Sequence, residues 1–490
     1  MIVDLNKTAK TPLYQQISDH FGELVERGLL PPGSSLPSTR ELATSLGVSR
    51  NTAVLAYQEL EVRGLVSSHV GRGTRVNEYL PRVSGNSATP PTRPLPVEGL
   101  YAGSWRKSFG ATLDVLEKLA GPVAGSDTIN MASAEPDANL FPVSEFRECL
   151  YRAMVRFGSA VLTGGSPRGF EPLLDYLPVF LAQRNILCEP RQLMIVNGIQ
   201  QALSLVGRLF VDPGDTVILE NLSYPGALGV FRSLQAQCVG CPLDQEGIRL
   251  DVLESVLNRS RPKLLYTIPT FHNPTGTCLS SERRKQLVQL CRDKQVLIVE
   301  DDYAHELCFR GRPPLPLKAW DEASGVIYLG SFSEIMFPGI RLSFILAPQA
   351  IVDRLLLIKE STDLYTNRIL QGALLEFLQR GYLSKHVKKQ RLFNRKRRDA
   401  LVEALPCHMP LETRWQIAEG GLFQWIDLPG QIDAVELLMR ARKQGVVFAP
   451  DRMFSVDAWE RGGIRLGFSG LTEAQVRRGV HLIGHTIDEF

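Results

Sequence analysis

The chain has 490 residues, of which 44% are hydrophobic and 22% charged, and its formal net charge is +3. This length predicts more than one domain, the composition is typical of a soluble globular protein, and the charge identifies no class of partner. No run approaches the roughly 18 apolar residues of a membrane span, and the polar N-terminus is not a signal peptide, so we expect a cytoplasmic protein without membrane contact.

The eight cysteines are irregularly spaced, which is typical of reduced residues in a packed interior. Cys238 and Cys241 form a single CxxC pair, with neither a second such pair nor a nearby pair of histidines. We therefore expect no metal site.

Residues 11–77 have the pattern of a compact helical unit that ends in two strands. Apolar residues at helical spacing between Leu13 and Leu24 predict a first helix. A capping box at Ser38–Glu41 starts a short second helix, and a third helix is expected to start at Val48-Ser49. Two strand-like segments around the tight loop Gly71–Gly73 complete the order. The predicted fold is a winged helix-turn-helix.

The arginines of this unit lie where such a fold faces a DNA duplex. Residues 1–80 carry eight basic and eight acidic residues, so overall charge does not attract DNA. However, Arg40, Arg50, Arg72 and Arg75 fall at two helix starts and in the wing. A recognition helix enters the major groove with its amino end, where helix amides also favour phosphate. On spacing alone, a helical interaction module with incidental arginines remains an open alternative.

Three segments, PLYQQI, GLLPPGSSLPSTRELATSLGVSRNTAVLAYQEL and GRGTRV, resemble the GntR family of DNA-binding domains. The resemblance implies DNA binding, with Arg40, Arg50, Thr52 and the wing as contacts. The full set of predicted DNA-binding residues is Ser38, Arg40, Ser49, Arg50, Asn51, Thr52, Gly71, Arg72 and Gly73.

Prolines among Ser, Gly, Thr and Asn, without periodicity, follow this unit and predict a semi-extended linker. We divide the chain into a DNA-binding domain at residues 1–80, a linker and lead-in at 81–126, and a larger domain at 127–490.

Strand-like and helical runs alternate in the larger domain, which predicts an α/β fold with a mainly parallel sheet. Polar residues follow the strands at the edge where open α/β sheets bind ligands, together with one glycine, which lets helix amides approach a phosphate. These residues are Gly198, Tyr224, Asn273, Asp301, Tyr303, Ser331, Ser333 and Arg341. An aspartate can pair with a protonated ring nitrogen, a tyrosine and an asparagine can bind a phenolic oxygen, and serines with an arginine can hold a phosphate. Pyridoxal phosphate and pyridoxamine phosphate carry all these groups, although singly each residue has a structural explanation, such as the common turn at Asn273.

The segment from Ser331 to Arg341 resembles the fold-type I aminotransferase signature, Ser-x-Ser-Lys followed by Arg. In that family the lysine forms a Schiff base with pyridoxal phosphate. Glu334 stands at the lysine position, and no lysine occurs between Lys318 and Lys359. A carboxylate cannot form an imine, so the resemblance implies the fold without the covalent chemistry.

A GntR-type domain, a linker and an aminotransferase-like domain together resemble the MocR family of bacterial transcription regulators, which act as dimers. The resemblance implies a larger domain with a mainly parallel sheet and a smaller C-terminal α+β part. It places Asp301 at the pyridine nitrogen and Tyr303 and Asn273 at the ring hydroxyl. It also implies that Tyr224 stacks on the ring, with the phosphate at the two serines and Arg341. Arg465, in GGIRLGFSG, matches an arginine that takes an amino-acid carboxylate. Besides Glu334, the chain departs from the usual pattern at Ile199, Ser343 and Asp451-Arg452.

A dense basic run extends from Lys385 to Arg398, with Val387, Leu392 and Leu401 at helical spacing on another face. The pattern favours a solvated helix over a second DNA site.

Three hypotheses follow. The first is a transcription regulator whose larger domain senses a B6 vitamer or an amino compound without covalent attachment. The second is a regulator whose larger domain only forms the homodimer. The third is a working transaminase with an accessory DNA-binding domain, and Glu334 argues strongly against it.

Overall fold

The computed structural model describes residues 5–6, 11–69, 73–77, 128–457 and 462–489. The chain divides into two compact units, residues 1–99 and 100–490. The predicted linker, with both predicted domain boundaries, lies outside the described residues, so those boundaries remain a prediction.

The first unit contains three helices and a two-stranded sheet. The helices are α1 (Leu13–Glu26), α2 (Thr39–Leu46) and α3 (Arg50–Val62). Strands β1 (Val66–His69) and β2 (Gly73–Val76) pair antiparallel. This is the predicted winged helix-turn-helix order.

Side-chain caps fix the amino ends of α2 and α3. The Ser38 hydroxyl accepts from the Glu41 amide at 3.2 Å, and the Glu41 carboxylate accepts from the Ser38 amide at 2.9 Å, which confirms the predicted capping box. Gly47 ends α2 in the left-handed region at φ 60°. The third helix starts two residues later than predicted, because Ser49 is its cap and accepts from the Thr52 amide at 3.1 Å.

The second unit is larger. Its helices are α4 (Val143–Phe157), α5 (Glu171–Ala182), α6 (Ile199–Phe210), α7 (Pro225–Ser233), α8 (Leu250–Ser260), α9 (Ser281–Asp293), α10 (Gln349–Glu360), α11 (Arg368–Gln379), α12 (Tyr382–His408), α13 (Ala434–Lys443) and α14 (Glu473–Asp488). Its strands are β3 (Ile129–Asn130), β4 (Leu193–Val196), β5 (Thr216–Glu220), β6 (Gln237–Cys241), β7 (Leu243–Asp244), β8 (Gly247–Ile248), β9 (Leu264–Thr267), β10 (Leu297–Asp302), β11 (Val326–Ser331), β12 (Ser343–Leu346), β13 (Phe423–Asp427), β14 (Val446–Val447), β15 (Ala449–Pro450) and β16 (Gly463–Gly467).

Seven strands form the central sheet, in the order β4-β12-β11-β10-β9-β5-β6. Only β12 runs antiparallel to its neighbours in this sheet. The strands are almost entirely buried, as parallel strands covered by helices on both faces must be. The predicted α/β fold with a mainly parallel sheet is confirmed. Because the other six strands share one direction, their carboxyl ends meet at one edge.

The C-terminal part of this unit has a smaller antiparallel sheet in the order β13-β16-β15. Its core includes side chains from α13 and α14. Strand β3 pairs with β14, which joins the first described segment of the unit to this layer.

Helix α12 carries the basic run, and the prediction of a solvated helix is correct for one part of it. Lys388, Lys389 and Lys396 are exposed. Leu392 was expected on an apolar face but is 55% exposed, so that assignment is wrong.

The last arginines of the basic run are buried, which corrects the prediction for them. Arg397 donates to the Asp137 carboxylate and to the Ser469 carbonyl, and Arg398 donates to the Ala418 carbonyl. Such charge-assisted bonds compensate for lost hydration, so these guanidiniums tie α12 to neighbouring segments.

Across the described part of the chain, no helix is both long and apolar enough to cross a membrane.

Candidate functional site

The predicted DNA-binding surface of the first unit includes the amino ends of α2 and α3. Arg40 and Arg50 are exposed, and among the described residues no carboxylate lies within 4.0 Å of either guanidinium. Asn51 is exposed next to Arg50. Of the predicted wing residues, Gly71 and Arg72 lie outside the described residues, and Gly73 opens β2.

A cavity of about 230 Å³ lies at the carboxyl edge of the central sheet. It is lined by Ala134, Glu135, Ile199, Tyr224, Ile268, Asn273, Asp301, Tyr303, Glu334, Phe423 and Arg465. The lining comes from several strand ends and from the smaller sheet, so residues more than 300 positions apart meet there.

Five residues predicted to hold a cofactor line this cavity together with Glu334: Tyr224, Asn273, Asp301, Tyr303 and Arg465. Gly198, Ser331, Ser333 and Arg341 are not part of the lining. Ser331 bonds Glu334 directly, and Arg341 lies against Gly198.

Sequence reasoning missed Ala134, Glu135, Ile268 and Phe423. Ile268 follows β9 directly, and its position at a strand end could have indicated it. Ala134 and Glu135 lie in a loop without any motif, so nothing in the sequence marked them.

Asp301 is the penultimate residue of β10 and is buried. Its Oδ2 accepts from the Tyr266 hydroxyl at 2.8 Å, and its Oδ1 has no hydrogen-bond partner. Burial is the main cause that raises the pKa of this carboxyl to about 8; the Tyr266 hydrogen bond opposes this rise and the nearby Glu334 charge adds to it. The free oxygen is an acceptor that a cationic N–H in the cavity would satisfy.

Two of the predicted ring contacts are engaged with protein groups. The Tyr303 hydroxyl donates to the Phe271 carbonyl at 2.9 Å. Asn273 Oδ1 accepts from Arg465 Nη1 at 2.9 Å, which leaves the asparagine NH₂ group as its donor towards the cavity.

Arg465 is the partly buried cation that lines the cavity. Its Nη2 donates to the Ala132 carbonyl at 2.8 Å, its Nε has no partner, and its guanidinium stacks on Phe423 and Phe454 at 4.9 Å from each ring centroid. Burial lowers its pKa to about 10, so it remains charged at neutral pH. A guanidinium held in this way fits a ligand carboxylate.

Glu334 is partly buried, and its Oε2 accepts from the Ser331 hydroxyl at 2.8 Å. Burial raises the pKa of the Glu334 carboxyl, while the Ser331 bond and the Arg341 charge lower it. The Ser331 oxygen accepts in turn from the Ser333 amide at 3.1 Å, and the buried Ser333 hydroxyl has no partner.

The amino end of α6 lies next to Arg341. Arg341 Nη2 donates to the Asn197 carbonyl at 3.3 Å and lies so close to Gly198 that a Cβ there would come within 2.2 Å of it. A side chain at position 198 would therefore clash with Arg341. A guanidinium, two serines and a helix amino end favour an anion.

The other departures from the family pattern have different locations. Ile199 lines the cavity, and Ser343 pairs with Ser331 across β11 and β12. Asp451 is buried but does not line the cavity, and burial raises its pKa to about 6.

Cys238 and Cys241 are free thiols. In the segments the structure describes, no three metal-ligating side chains cluster.

Two family models match the chain in separate segments. Residues 13–76 match the bacterial regulatory proteins of the gntR family, and residues 164–483 match aminotransferase class I and II. The YdfD transcriptional regulator of Bacillus subtilis is 30% identical over 99% of this chain and 98% of its own length. The probable rhizopine catabolism regulatory protein MocR of Rhizobium meliloti is 29% identical over 97% of this chain and 94% of its own. The chain belongs to the MocR-type transcription regulators.

The larger unit of this regulator also resembles solved enzymes. The kynurenine aminotransferase of Pyrococcus horikoshii, solved with pyridoxamine phosphate, is 35% identical, with a TM-score of 0.76 over 80% of this chain and 98% of that chain.

Aminotransferases of this class depend on pyridoxal phosphate. Most of the residues in this regulator fit such a group, since Asp301 Oδ1, Ser333 Oγ and Arg465 Nε are buried without partners around the site. Ser331 and Tyr303 are exceptions among the described residues, because their protons already go to Glu334 and to the Phe271 carbonyl.

Proposed function

We propose that this regulator binds operator DNA through its first unit and senses a small amino compound or B6 vitamer in the cavity, without a covalent bond to it. Glu334 carries the proposal. It lines the cavity at the position where the aminotransferase signature has its lysine, and its carboxylate cannot form an imine. No transaminase activity is therefore expected with any amino donor.

The proposed DNA contacts are the nine residues predicted from the sequence. The exposed, unpaired guanidiniums of Arg40 and Arg50 support this assignment, as does the capped amino end of α3. Arginine at the start of a recognition helix can bind guanine edges or phosphates. Bacterial operators lie in the cytoplasm, where the regulator would act.

The charges of the cavity support a ligand with a cationic amino group. Glu334 offers an acceptor to an ammonium group, and Arg465 offers to a carboxylate its Nε–H, which donates to no described residue. Ile199, Ile268 and Phe423 supply apolar contacts between these groups. Pyridoxamine phosphate has an aminomethyl group where pyridoxal phosphate has an aldehyde, so we expect the cavity to prefer the amine.

We propose that the regulator is a homodimer through α4, in keeping with the dimeric habit of aminotransferases. Tyr151 and Val155 on this helix are 66% and 68% exposed, and Leu162 beyond it is 65% exposed. Apolar side chains exposed close together in this way are typical of an interface. If so, Val155→Glu should give a monomer in sedimentation, whereas the same change at exposed Val62, in the other unit, should not.

Mass spectrometry of the native protein tests the sensing proposal. A small molecule that copurifies, is released on denaturation and leaves no borohydride-stable adduct on the chain is the expected result. A reduced cofactor–lysine peptide would contradict the proposal, and such a peptide together with transaminase activity would favour the enzyme.

A further inference from the structure

The hydrogen bond between Ser331 and Glu334 bears on which ligands the cavity accepts. Ser331, Ser333, Arg341 and the amino end of α6 at Gly198 form a group that we call the anion seat. We propose that the Glu334 carboxylate takes the Ser331 proton of the anion seat, so that a ligand phosphate gains little there and the cavity selects its ligand by the amino group. This inference rests on the proposed function and narrows its ligand class.

The hydroxyl proton of Ser331 is already donated to a protein group. A hydroxyl has one proton to donate, and Ser331 gives it to Glu334 at 2.8 Å. Its oxygen is oriented by the Ser333 amide at 3.1 Å. A phosphate can therefore receive this proton only after the Glu334 carboxylate has lost it.

The backbone around Glu334 is held by α12. Gln390, which is buried, donates to the Glu334 carbonyl at 2.8 Å, and His386 contacts the Met336 carbonyl at 3.2 Å. The segment cannot move away as a whole without losing both bonds. Displacement of the carboxylate must come from rotation of the Glu334 side chain into the cavity.

The charge of Glu334 also opposes a phosphate in the anion seat. Among the described residues no carboxylate lies within 4.0 Å of the Arg341 guanidinium, and Arg341 and Glu334 influence each other across the seat. A phosphate dianion there would gain the attraction of Arg341 but would meet the repulsion of a partly buried carboxylate. Like charges at short range in a low-dielectric site oppose binding strongly. An ammonium group meets the opposite situation, because Glu334 attracts it.

Calorimetric titration of the full-length protein with pyridoxamine and pyridoxamine phosphate measures what the phosphate contributes. Both molecules carry the same amine and ring, so the ratio of their dissociation constants isolates the phosphate. In the native protein we expect the two constants to agree within about threefold. In Glu334→Gln, which removes the charge, pyridoxamine phosphate should become at least about tenfold tighter relative to pyridoxamine, as expected when one charge-assisted contact is regained.

Two further variants complete the test. Glu334→Ala removes the acceptor as well as the charge, so it should raise the ratio at least as far as Glu334→Gln. Glu135→Gln is the matched control, because it removes an exposed carboxylate from the same cavity but not from Ser331. The control should leave the native ratio unchanged.

The outcomes separate this inference from the proposed function. Pyridoxamine phosphate bound about a hundredfold tighter than pyridoxamine by the native protein would overturn the inference alone. An equal rise of the ratio in Glu135→Gln would also overturn it, since the effect would then be one of general charge. Absence of binding by the native protein and by both Glu334 variants would overturn the inference and the vitamer part of the proposed function together.

Discussion

The two units of this regulator present their functional residues in opposite ways. In the first unit the predicted DNA contacts that the structure describes, among them exposed Arg40 and Arg50, lie within a short stretch of chain next to helix caps that the sequence shows directly. In the second unit the cavity residues are gathered from distant segments, as with Arg465 and Asn273, which are 192 positions apart and hydrogen-bonded. We propose that the first unit keeps its DNA contacts, whereas the cavity keeps most of its ligand contacts and has Glu334 in place of the lysine that would react. On this proposal the larger unit binds a ligand without reacting with it.

The largest expected effect comes from returning an amine to the cavity. Glu334→Lys should convert a chain with no reducible cofactor bond into one that pyridoxal phosphate labels stoichiometrically, because Asp301, Asn273, Tyr303 and Arg341 are still present. Borohydride reduction followed by peptide mass spectrometry would detect the bond at position 334. A variant that folds but is not labelled would show that Ile199 or Ser343 has also changed the site.

A buried carboxyl beneath the cavity should give the next largest effect. Glu220 is 1% exposed, and its Oε1 accepts from Thr267 and from the Ile268 amide, while its Oε2 lies 3.8 Å from His272 Nε2 and accepts no hydrogen bond from any described residue. Burial raises its pKa to about 7, against a usual value of 4.5. The folded state thus holds a proton that the unfolded chain has lost, so native stability from this group falls as pH rises from about 4.5 to 7.

Glu220→Gln keeps the acceptor and cannot ionise. Its unfolding free energy relative to the native protein should rise by up to about 3 kcal/mol over this pH window. The comparison must be made as a difference, because His272, whose pKa burial lowers to about 3, gives the opposite slope in both proteins. Calorimetric unfolding at several pH values measures it. A constant difference across the window would show that Glu220 is ionised throughout.

On the surface unit, Arg50→Ala should weaken operator binding by about 1–3 kcal/mol, which is roughly 5-fold to 150-fold. If Arg50 reads a base, the variant should also discriminate less between operator and random DNA. If Arg50 binds a phosphate, discrimination should stay the same and only the salt dependence of binding should fall. Fluorescence anisotropy at several salt concentrations distinguishes these results. Arg27→Ala is the control, since Arg27 is an exposed arginine at the carboxyl end of α1 and is not one of the predicted DNA contacts. Unchanged affinity and specificity in Arg50→Ala would mean that α3 is not the recognition helix.

Much of this contrast could be read from the sequence, because local patterns determine local structure. The capping box at Ser38, the alternation of strands and helices in an α/β domain and the position of polar residues after strands all follow from short-range rules. The predicted residues Tyr224 and Asp301 reach one cavity because parallel strands end at a common edge.

Long-range contacts account for what the sequence did not reveal. Arg397 reads as part of a solvated basic run, but it is buried because Asp137, 260 positions earlier, and Ser469 lie against it. Tyr303 matches a family position, but its proton goes to the Phe271 carbonyl. Glu334 was visible as a replacement, whereas its bond to Ser331 depends on side-chain geometry that a sequence does not contain.

The central claim is that Glu334 makes the cavity select a cationic amine instead of forming a covalent bond. Titration of the native protein with pyridoxamine phosphate and pyridoxal phosphate tests it most directly, because the two share a phosphate and differ in one group. A charge-assisted hydrogen bond contributes roughly 1.5–3 kcal/mol, so pyridoxamine phosphate should bind about tenfold tighter or more, and Glu334→Gln should lose most of that preference. If neither vitamer bound, the larger unit would serve dimerisation alone. Equal affinities, or tighter binding of pyridoxal phosphate, would contradict the claim.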